Sequence, residues 1–523
     1  MSSRREQLMR PAAGPLPDIP DSFRPLSLAG GIRSAMQRAP DKIALRDRFA
    51  TRTYAQLVER IDRVSHATLG DLGLGPGDHC AILSLNRIEY VELVAGLSQV
   101  GVAAATVNPR LSDAEITAIC DDAGARVLFV DPDNAERARA CRFASVERIV
   151  VLGEAFEAWL AAAHPGHTLP SVPEWLPFTI PYTSGTTGRP KGVLVSSRSR
   201  VLTLFGMGVE YACYAPEDRF LALAPMCHGA GMVFPLASVF FGGYAQLMDA
   251  FEPEAVLKTL NSEHISGVFM VPTHFHALFG LEPGTLAAHR EHALRTIISN
   301  AAPLPQATKE RIVEYFGAGL LHETYGSTEG GIVTNLRPPD QLRKQQCVGL
   351  PFPATELSVR DPRGGECATG EVGELFSRSP YLFNGYWQRP EETAEALHDG
   401  WCTVGDLARR DEEGYLYIVD RKKDMIITGG FNVYPREIEE TLVRHPDILE
   451  AAVIGVPDER WGERLKAYVV TASGRSPGVE EMLEFCADTL ARFKIPREFE
   501  RLDALPRNAS GKILKTELRT RAG

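Results

Sequence analysis

Tyr182-Thr-Ser-Gly-Thr-Thr-Gly-Arg-Pro-Lys-Gly192 decides how this 523-residue chain is read. Ser184, Thr186 and Thr187 offer hydroxyl donors, Gly185 and Gly188 let backbone N–H groups come close to a ligand, and Lys191 adds a compact cation. Such a loop suits a polyphosphate. Pro190 stiffens its exit, and the apolar run Gly192-Val-Leu-Val195 reads as a strand, which puts the loop on a sheet edge as a flexible cover. Gly/Ser/Thr clusters between strands are usually surface turns, but the ordered ending in Pro-Lys-Gly is much rarer. It is not a Walker A loop, which needs Gly-Lys-Ser/Thr; here Pro190 precedes the lysine and Gly192 follows it. Gly73-Leu-Gly75-Pro-Gly77 is not a dinucleotide fingerprint either, because its third glycine is misplaced and Pro76 blocks the entry into a helix.

Working outward, the length exceeds one core, so two or more domains are expected. The net charge of -11 comes from dispersed acids without a Lys/Arg block, which argues against a nucleic-acid partner. Nine scattered cysteines without a Cys-x-x-Cys pair fit a reducing compartment, and a cytoplasmic location is expected. Met1 to Arg24 has no apolar stretch and reads as a poorly ordered arm. Phe220 to Met248 carries no charge, yet Pro225, His228, Pro235 and four glycines break it. It reads as a buried strand followed by a helix beside a ligand cavity, not as a transmembrane segment.

From about residue 40, β-rich runs alternate with helical patterns, which predicts an α/β fold with parallel sheets. Cys80–Ser84, Arg126–Val130, Ile265–Val271 and Arg295–Ser299 read as strands and Tyr90–Val100 as a helix. After residue 350 short glycine-rich segments, Glu374–Ser377 and Gly414–Val419 among them, suggest antiparallel strands. A last α+β unit holds an amphipathic helix Pro435–Arg444, strands Ala451–Val456 and Ala467–Thr471, and a helix Val479–Ala491.

Three further segments carry chemistry. In Leu321-His-Glu-Thr-Tyr-Gly-Ser-Thr-Glu329, Tyr325 can stack on a purine, Thr328 can bond a phosphate and Glu329 can carry magnesium. Gly400-Trp-Cys-Thr-Val-Gly-Asp406 places a carboxylate after a turn, where it can accept both hydroxyls of a ribose. Asp420-Arg-Lys-Lys-Asp424 leads to the paired Gly429-Gly430, and Pro506-Arg-Asn-Ala-Ser-Gly-Lys512 presents a lysine on a flexible turn. Singly each is also an ordinary turn or a solvated lysine. As an ordered set they resemble the adenylate-forming (AMP-binding) superfamily over residues 30 to 520. Val271-Pro-Thr-His-Phe-His-Ala-Leu278, Pro457-Asp-Glu-Arg-Trp-Gly462 and Phe493-Lys-Ile-Pro496 make the chain most similar to the acyl-CoA and aryl-CoA synthetase branch.

That resemblance implies a large N-terminal domain of stacked α/β layers with a small antiparallel β subdomain, followed by a small mobile α+β C-terminal domain. The expected boundaries are an arm at 1–29, the large domain at 30–421, a hinge at 422–423 centred on Lys423, and the small domain at 424–523. It also implies attack of a carboxylate on the α-phosphate of ATP to give acyl-AMP and pyrophosphate, then displacement of AMP by the thiol of coenzyme A. By resemblance Lys512, Glu329 and Thr328 are catalytic, with Mg2+ on Glu329. Thr183–Gly188, Lys191, Ala301, Ala302, Glu323, Thr324, Tyr325, Gly326, Asp406 and Arg421 bind ATP. His228, Gly229, Ala230, Phe275, Asn300, Gly330 and Gly331 wall the acyl pocket. Gly429, Gly430, Trp461, Phe493 and Lys494 serve coenzyme A, Lys494 standing in for an arginine that such relatives carry where this chain has Ile495.

Small residues dominate that pocket, so an aromatic, medium-chain or bulky alicyclic acid is expected in place of acetate or malonate. Cys227 beside His228 suggests a nucleophile, but the chemistry needs no acyl-enzyme. A homodimer is compatible with the sequence. Two other functions share the motifs: a stand-alone adenylation enzyme loading a carrier protein, and a nucleotide-binding sensor, which the intact Lys512, Glu329 and Asp406 argue against.

Overall fold

Strand His79–Leu83 is buried at every position, and its side chains alternate between two apolar cores: Cys80 and Ile82 on one side, Ala81 and Leu83 on the other. A strand buried on both faces needs helices on both, and that requirement organises the larger part of the molecule. The computed structural model describes residues 23–164, 166–184, 190–472, 474–475, 477–507 and 513–522. The chain divides into two compact units, Met1–Leu357 with Ser377–Cys402, and Ser358–Phe376 with Thr403–Gly523. The antiparallel segments after residue 357 are therefore shared out, whereas the sequence suggests a boundary at 421–424.

In the large unit, Arg148–Val151, Val127–Val130, His79–Leu83, Ala103–Val107 and Pro177–Ser184 run parallel in that spatial order. A second, nine-stranded sheet has a parallel centre formed by Leu321–Ser327, Thr296–Ser299, Gly267–Met270, Arg219–Ala222, Tyr244–Leu247 and Ile43–Arg46. Between the sheets lies a shared helical layer. Its members Ile88–Gln99 and Gly229–Phe241 are buried almost throughout, and their core joins Ile82 and Phe129 of one sheet to Phe220, Phe269 and Ile298 of the other. The outer faces are covered by separate cores, Ile116 and Ile119 over the first sheet and Leu257, Phe275 and Ile312 over the second. Helix, sheet, helix, sheet, helix is the order of the layers.

The predicted strands and helices of this unit lie where expected, with ends moved by one or two residues. One boundary changes, and the uncharged run gains a second strand. Helix Leu28–Arg38, capped by Ser27 accepting from the Gly30 N–H, buries Leu28 and Ala29, so the helix begins inside the 1–29 arm. The uncharged run 220–248 holds a strand, the 13-residue helix Gly229–Phe241 and a strand; no helix among the described residues is long and apolar enough to cross a membrane. Pro225–His228 is a turn before that helix.

The small unit contains the hairpin Asp406–Arg410/Leu416–Arg421 and a sheet of Ile426–Thr428, Phe431–Val433, Ile448–Asp458, Gly462–Thr471 and Glu498–Arg501. The long antiparallel pair divides two cores by alternation, Ala451 and Val453 facing Ile438 and Met482, Ala452 and Ile454 facing Leu505 and Leu518. Helix Val479–Ala487 is shorter than expected because the chain turns at Asp488–Leu490.

Close packing in the shared layer gives a direct test. A Cβ on Gly231 would collide with the Pro225 carbonyl. Gly231→Ala should destabilise the large unit by about 1–3 kcal/mol through overpacking, seen as a lower denaturant midpoint.

Candidate active site

The polyphosphate loop is carried on a hairpin. Strand Pro177–Ser184 starts parallel to Ala103–Val107 and ends antiparallel to Pro190–Gly192, with Thr183 opposite Lys191. Gly185, Thr186, Thr187 and Gly188 lie outside the described residues, as does the Ser184 side chain. The run 192–195 is not one strand. Gly192–Leu194 is drawn onto the segment Asn384–Trp387: the Trp387 N–H donates to the Gly192 carbonyl (2.8 Å), the Leu194 N–H to Gly385 (3.0 Å), and the Asn384 N–H to Leu194 (2.8 Å). Val193 still donates its N–H to the Pro181 carbonyl at 2.9 Å, and Val195–Ser196 pairs with the same strand.

That ladder sets Tyr386 between two of the expected site residues. Lys191 Nζ stands 5.2 Å from the Tyr386 ring centroid, and the Tyr386 hydroxyl donates to Glu329 Oε1 at 2.8 Å. Burial and the Glu329 charge raise the Tyr386 phenol above its ordinary value, so it remains a donor. Lys191 Nζ is also 3.9 Å from Glu392, and the Phe383 N–H holds the Glu329 carbonyl at 2.8 Å. Neither Tyr386 nor Glu392 belongs to a periodic pattern; the sequence signal was only the Gly385-Tyr-Trp387 triplet.

Glu329 sits in the turn of hairpin Leu321–Ser327/Gly331–Leu336, which places Tyr325 opposite Thr334 and bulges between Tyr325 and Gly326. A side chain at Gly326 would collide with the Gly331 carbonyl, so the close hairpin requires glycine there. Tyr325 and Thr328 are half-buried, and Glu329 is 8% exposed. Thr324 Oγ1 accepts from Asn300 Nδ2 at 2.7 Å, while Asn300 Oδ1 takes the Ala301 N–H. Ala301 has φ +77, an arrangement costing an L-residue about 1–2 kcal/mol. Ala301 and Ala302 are exposed. These two segments leave the carboxyl ends of adjacent parallel strands, where α/β sheets bind ligands. Glu323 is different: its carboxylate pairs with buried Lys309 and accepts the Leu304 N–H at 3.2 Å, and its backbone is paired with Ser299 and Leu336 in the sheet.

Of the expected acyl wall, Gly229 and Ala230 open the helix after the turn and are half-buried. His228 Nε2 lies 3.2 Å from Asn108 Nδ2. Gly330 and Gly331 lie in the hairpin turn, with the Tyr381 Cβ 2.8 Å from where a Gly331 side chain would begin. Phe275 packs in a core. It is wholly buried, sharing a helix face with Leu278 and Phe279 in the outer core, because the helical period turns it away from solvent. Cys227 is buried and its thiol is pushed up to about 12 by burial, which removes it as a nucleophile.

In the small unit Asp406 and Arg421 face each other across their hairpin, Arg421 Nε 3.2 Å from Asp406 Oδ1. Gly429 (φ +58) and Gly430 (φ +81) form the two-residue turn joining Ile426–Thr428 to Phe431–Val433, where both central positions need positive φ. A side chain on Gly429 would begin 2.9 Å from the Trp461 ring, and its N–H donates to the Trp461 carbonyl at 2.9 Å. Trp461 is half-buried, not a core residue, with the guanidiniums of Arg460 and Arg497 4.9 and 5.3 Å from its ring. Phe493 stacks on Phe431 at 4.8 Å, both exposed. Lys494 is not an unclaimed cation: Glu437 takes its ammonium at 2.7 Å. Lys423 directly precedes Asp424, whose carboxylate pairs with Arg519 at 2.8 Å. Lys512 lies outside the described residues.

The layered fold, with the Thr183–Lys191 hairpin beside a buried carboxylate, is that of an adenylate-forming enzyme by the family models it matches. Residues 32–387 match the family model described as AMP-binding enzyme, and residues 437–512 match AMP-binding enzyme C-terminal domain. The chain is 37% identical over 492 residues to a feruloyl-CoA synthase of an Amycolatopsis species, covering 93% of this chain and 97% of that one. It is 35% identical over 493 residues to the fatty acid–[acyl-carrier-protein] ligase ScoC of Streptomyces coeruleorubidus, covering 93% and 94%. ATP-bound MatB from Rhodopseudomonas palustris superposes with a TM-score of 0.86 at 29% identity, over 95% of this chain and 99% of that one. The chain belongs to the AMP-binding enzyme family, in its AMP-forming acyl-CoA synthetase branch.

Tyr386→Phe removes the donor to Glu329 and should lower kcat/KM for ATP-dependent pyrophosphate release by about 10- to 100-fold. An unaltered rate would mean that the phenol does not hold the carboxylate in its working position. Cys227→Ser should remain active, and mass spectrometry of the wild type with ATP and acid should detect no acyl group on Cys227.

Proposed function

We propose that the chain is an ATP-dependent carboxylic acid:CoA ligase acting through an acyl-adenylate on an aromatic, medium-chain or bulky alicyclic acid. The observation that carries this reading is the row Lys191, Tyr386, Glu329, which joins the base of the phosphate hairpin to a buried carboxylate. Lys191 holds a phosphate oxygen of ATP as a point charge, and Thr183 opposite it offers a hydroxyl at the same hairpin base. Tyr325 lies against the adenine, and Asp406 with Arg421 takes the ribose hydroxyls. Lys512 contacts both the acid and the α-phosphate and steadies the charge that develops there.

No group of three or more His, Cys, Asp or Glu side chains able to hold a metal occurs among the described residues. A lone Glu329 carboxylate fits magnesium, which keeps several waters and shares phosphate oxygens with one or two carboxylates. Glu329 would hold the ion, Tyr386 would orient the carboxylate, and the ion would neutralise phosphate charge.

Coenzyme A as acceptor is favoured by the Gly429-Gly430 turn against Trp461 and the exposed Phe431–Phe493 stack, a narrow backbone edge beside aromatic surface. Arg460 and Arg497, not Lys494, are the cations available to its phosphates. The likeness to a carrier-protein ligase keeps a protein-bound pantetheine as the second reading.

A pyrophosphate-release screen over carboxylic acids, followed by mass detection of the thioester, tests the proposal. Saturable dependence on free coenzyme A is expected; product formation only with a carrier protein would replace the acceptor. Lys512→Ala should abolish acyl-AMP formation and spare thioester formation from supplied acyl-AMP, and equal loss of both steps would remove Lys512 from its assigned place.

A further inference from the structure

Contacts from two distant parts of the chain converge on Asp122, a residue outside the site as described. The Tyr182 hydroxyl donates to Asp122 Oδ2 at 2.7 Å, Arg389 donates to Oδ1 at 2.9 Å, and the Trp387 indole N–H donates to the Asp122 main-chain carbonyl at 2.9 Å. Burial and the Asp122 charge raise the Tyr182 phenol, so it stays a donor. Asp122 stands in the last turn of helix Asp113–Ala123, a turn without a basic residue. A carboxylate at that end opposes the helix dipole, so the helix itself does not favour it there. Its neighbour Asp121 serves the nearby chain, accepting the Ala144 and Ser145 N–H groups at 2.8 and 2.9 Å. The Asp122 side chain is bonded instead to residues far along the sequence.

Those partners secure both sides of the hairpin base. Tyr182 lies opposite Gly192, one step in register from the Thr183–Lys191 pair. A Cβ on Gly192 would begin 3.0 Å from Tyr182 Cζ, so the phenol runs close against the returning strand on its way to Asp122. Gly192 in turn accepts the Trp387 N–H at 2.8 Å. Asp122, Tyr182, Gly192 and Trp387 thus form a closed ring of contacts, to which Arg389 adds a charge. Tyr386 directly precedes Trp387, so the ring of contacts also fixes the side chain that lies over Lys191 and donates to Glu329. The Asp122 and Arg389 side chains are 26% and 32% exposed, and an ion pair so open to water adds little to global stability. Its constraint is local, on the spacing between the hairpin base and Tyr386.

We propose that Asp122 is a positioning residue of the nucleotide site, holding the hairpin base against the segment that carries Tyr386 so that Thr183 and Lys191 meet the outer phosphates of ATP. The inference rests on the reading of the hairpin as a phosphate cradle and deepens it. A cation and a hydroxyl fixed beforehand bind a phosphate more tightly, because less freedom remains to be lost on binding. AMP carries neither outer phosphate, so its affinity does not depend on this arrangement.

Wild type, Asp122→Asn, Asp122→Ala, Tyr182→Phe and the Asp122→Ala/Tyr182→Phe double variant would be titrated calorimetrically with magnesium–ATP and with AMP, without acid, and melted without ligand. Asp122→Ala should weaken ATP about 10- to 30-fold and Tyr182→Phe about 5- to 10-fold, each leaving AMP within about two-fold. Asp122→Asn keeps an acceptor for the phenol and loses the charge facing Arg389, and should fall between wild type and alanine. The double variant should bind ATP no more weakly than Asp122→Ala, because the phenol acts through the carboxylate. In pyrophosphate release with an accepted acid, the same variants should raise KM for ATP and leave KM for the acid unchanged. Equal weakening of ATP and AMP with a lower thermal midpoint would make Asp122 structural and overturn the proposal. Wild-type ATP affinity in both single variants, or additive losses in the double variant, would overturn it as well. A wild type that binds AMP but gains nothing from the outer phosphates would remove the cradle reading and the proposal with it. If no acid releases pyrophosphate the ligase reading fails, while the titration of ATP against AMP still decides the role of Asp122.

Discussion

The Tyr386 hydroxyl on the Glu329 carboxylate is the contact through which the site of the large unit becomes one object. It joins a hairpin turn between residues 327 and 331 to a segment near residue 385, which in turn forms a backbone ladder with the chain just after Lys191. Glu329 is nearly buried, and a buried carboxylate needs a donor or a cation. Tyr386 satisfies one oxygen. Because the same ring lies over Lys191, cation and carboxylate are held by one side chain without pairing directly. Lys191 instead has the Glu392 carboxylate at 3.9 Å.

The fold supports this arrangement through its shared helical layer. Strands buried on both faces end at their carboxyl edges in short loops, and Asn300–Ala302 and Tyr325–Gly326 leave neighbouring strands of one sheet. The left-handed Ala301 and the bulge beside Gly326 show where regular geometry is given up at that edge.

Much of this was legible beforehand because it is local. The Tyr182–Gly192 loop, the Tyr-Gly-Ser-Thr-Glu turn and the paired glycines at 429–430 are short segments whose residue types reflect backbone conformation or ligand chemistry. Elements with strong hydrophobic alternation, such as the strand at 79–83, were also readable. Differences fell where tertiary contacts intervene: the run 192–195 is divided by pairing with Asn384–Trp387, far along the chain, and Phe275 packs in a core by helical phase. Lys494 shows the same limit, since its cationic end is claimed by Glu437 on another helix.

The sequence by itself determined the family, the parallel α/β layering and the nucleotide motifs, because each rests on residue types at fixed short spacing. Only the tertiary structure decided which side chains share charge. It put Tyr386 on Glu329, Lys309 on Glu323 and Glu437 on Lys494. The physical reason is that a charge's partner and burial depend on residues brought close by packing, at separations along the chain that no local pattern encodes.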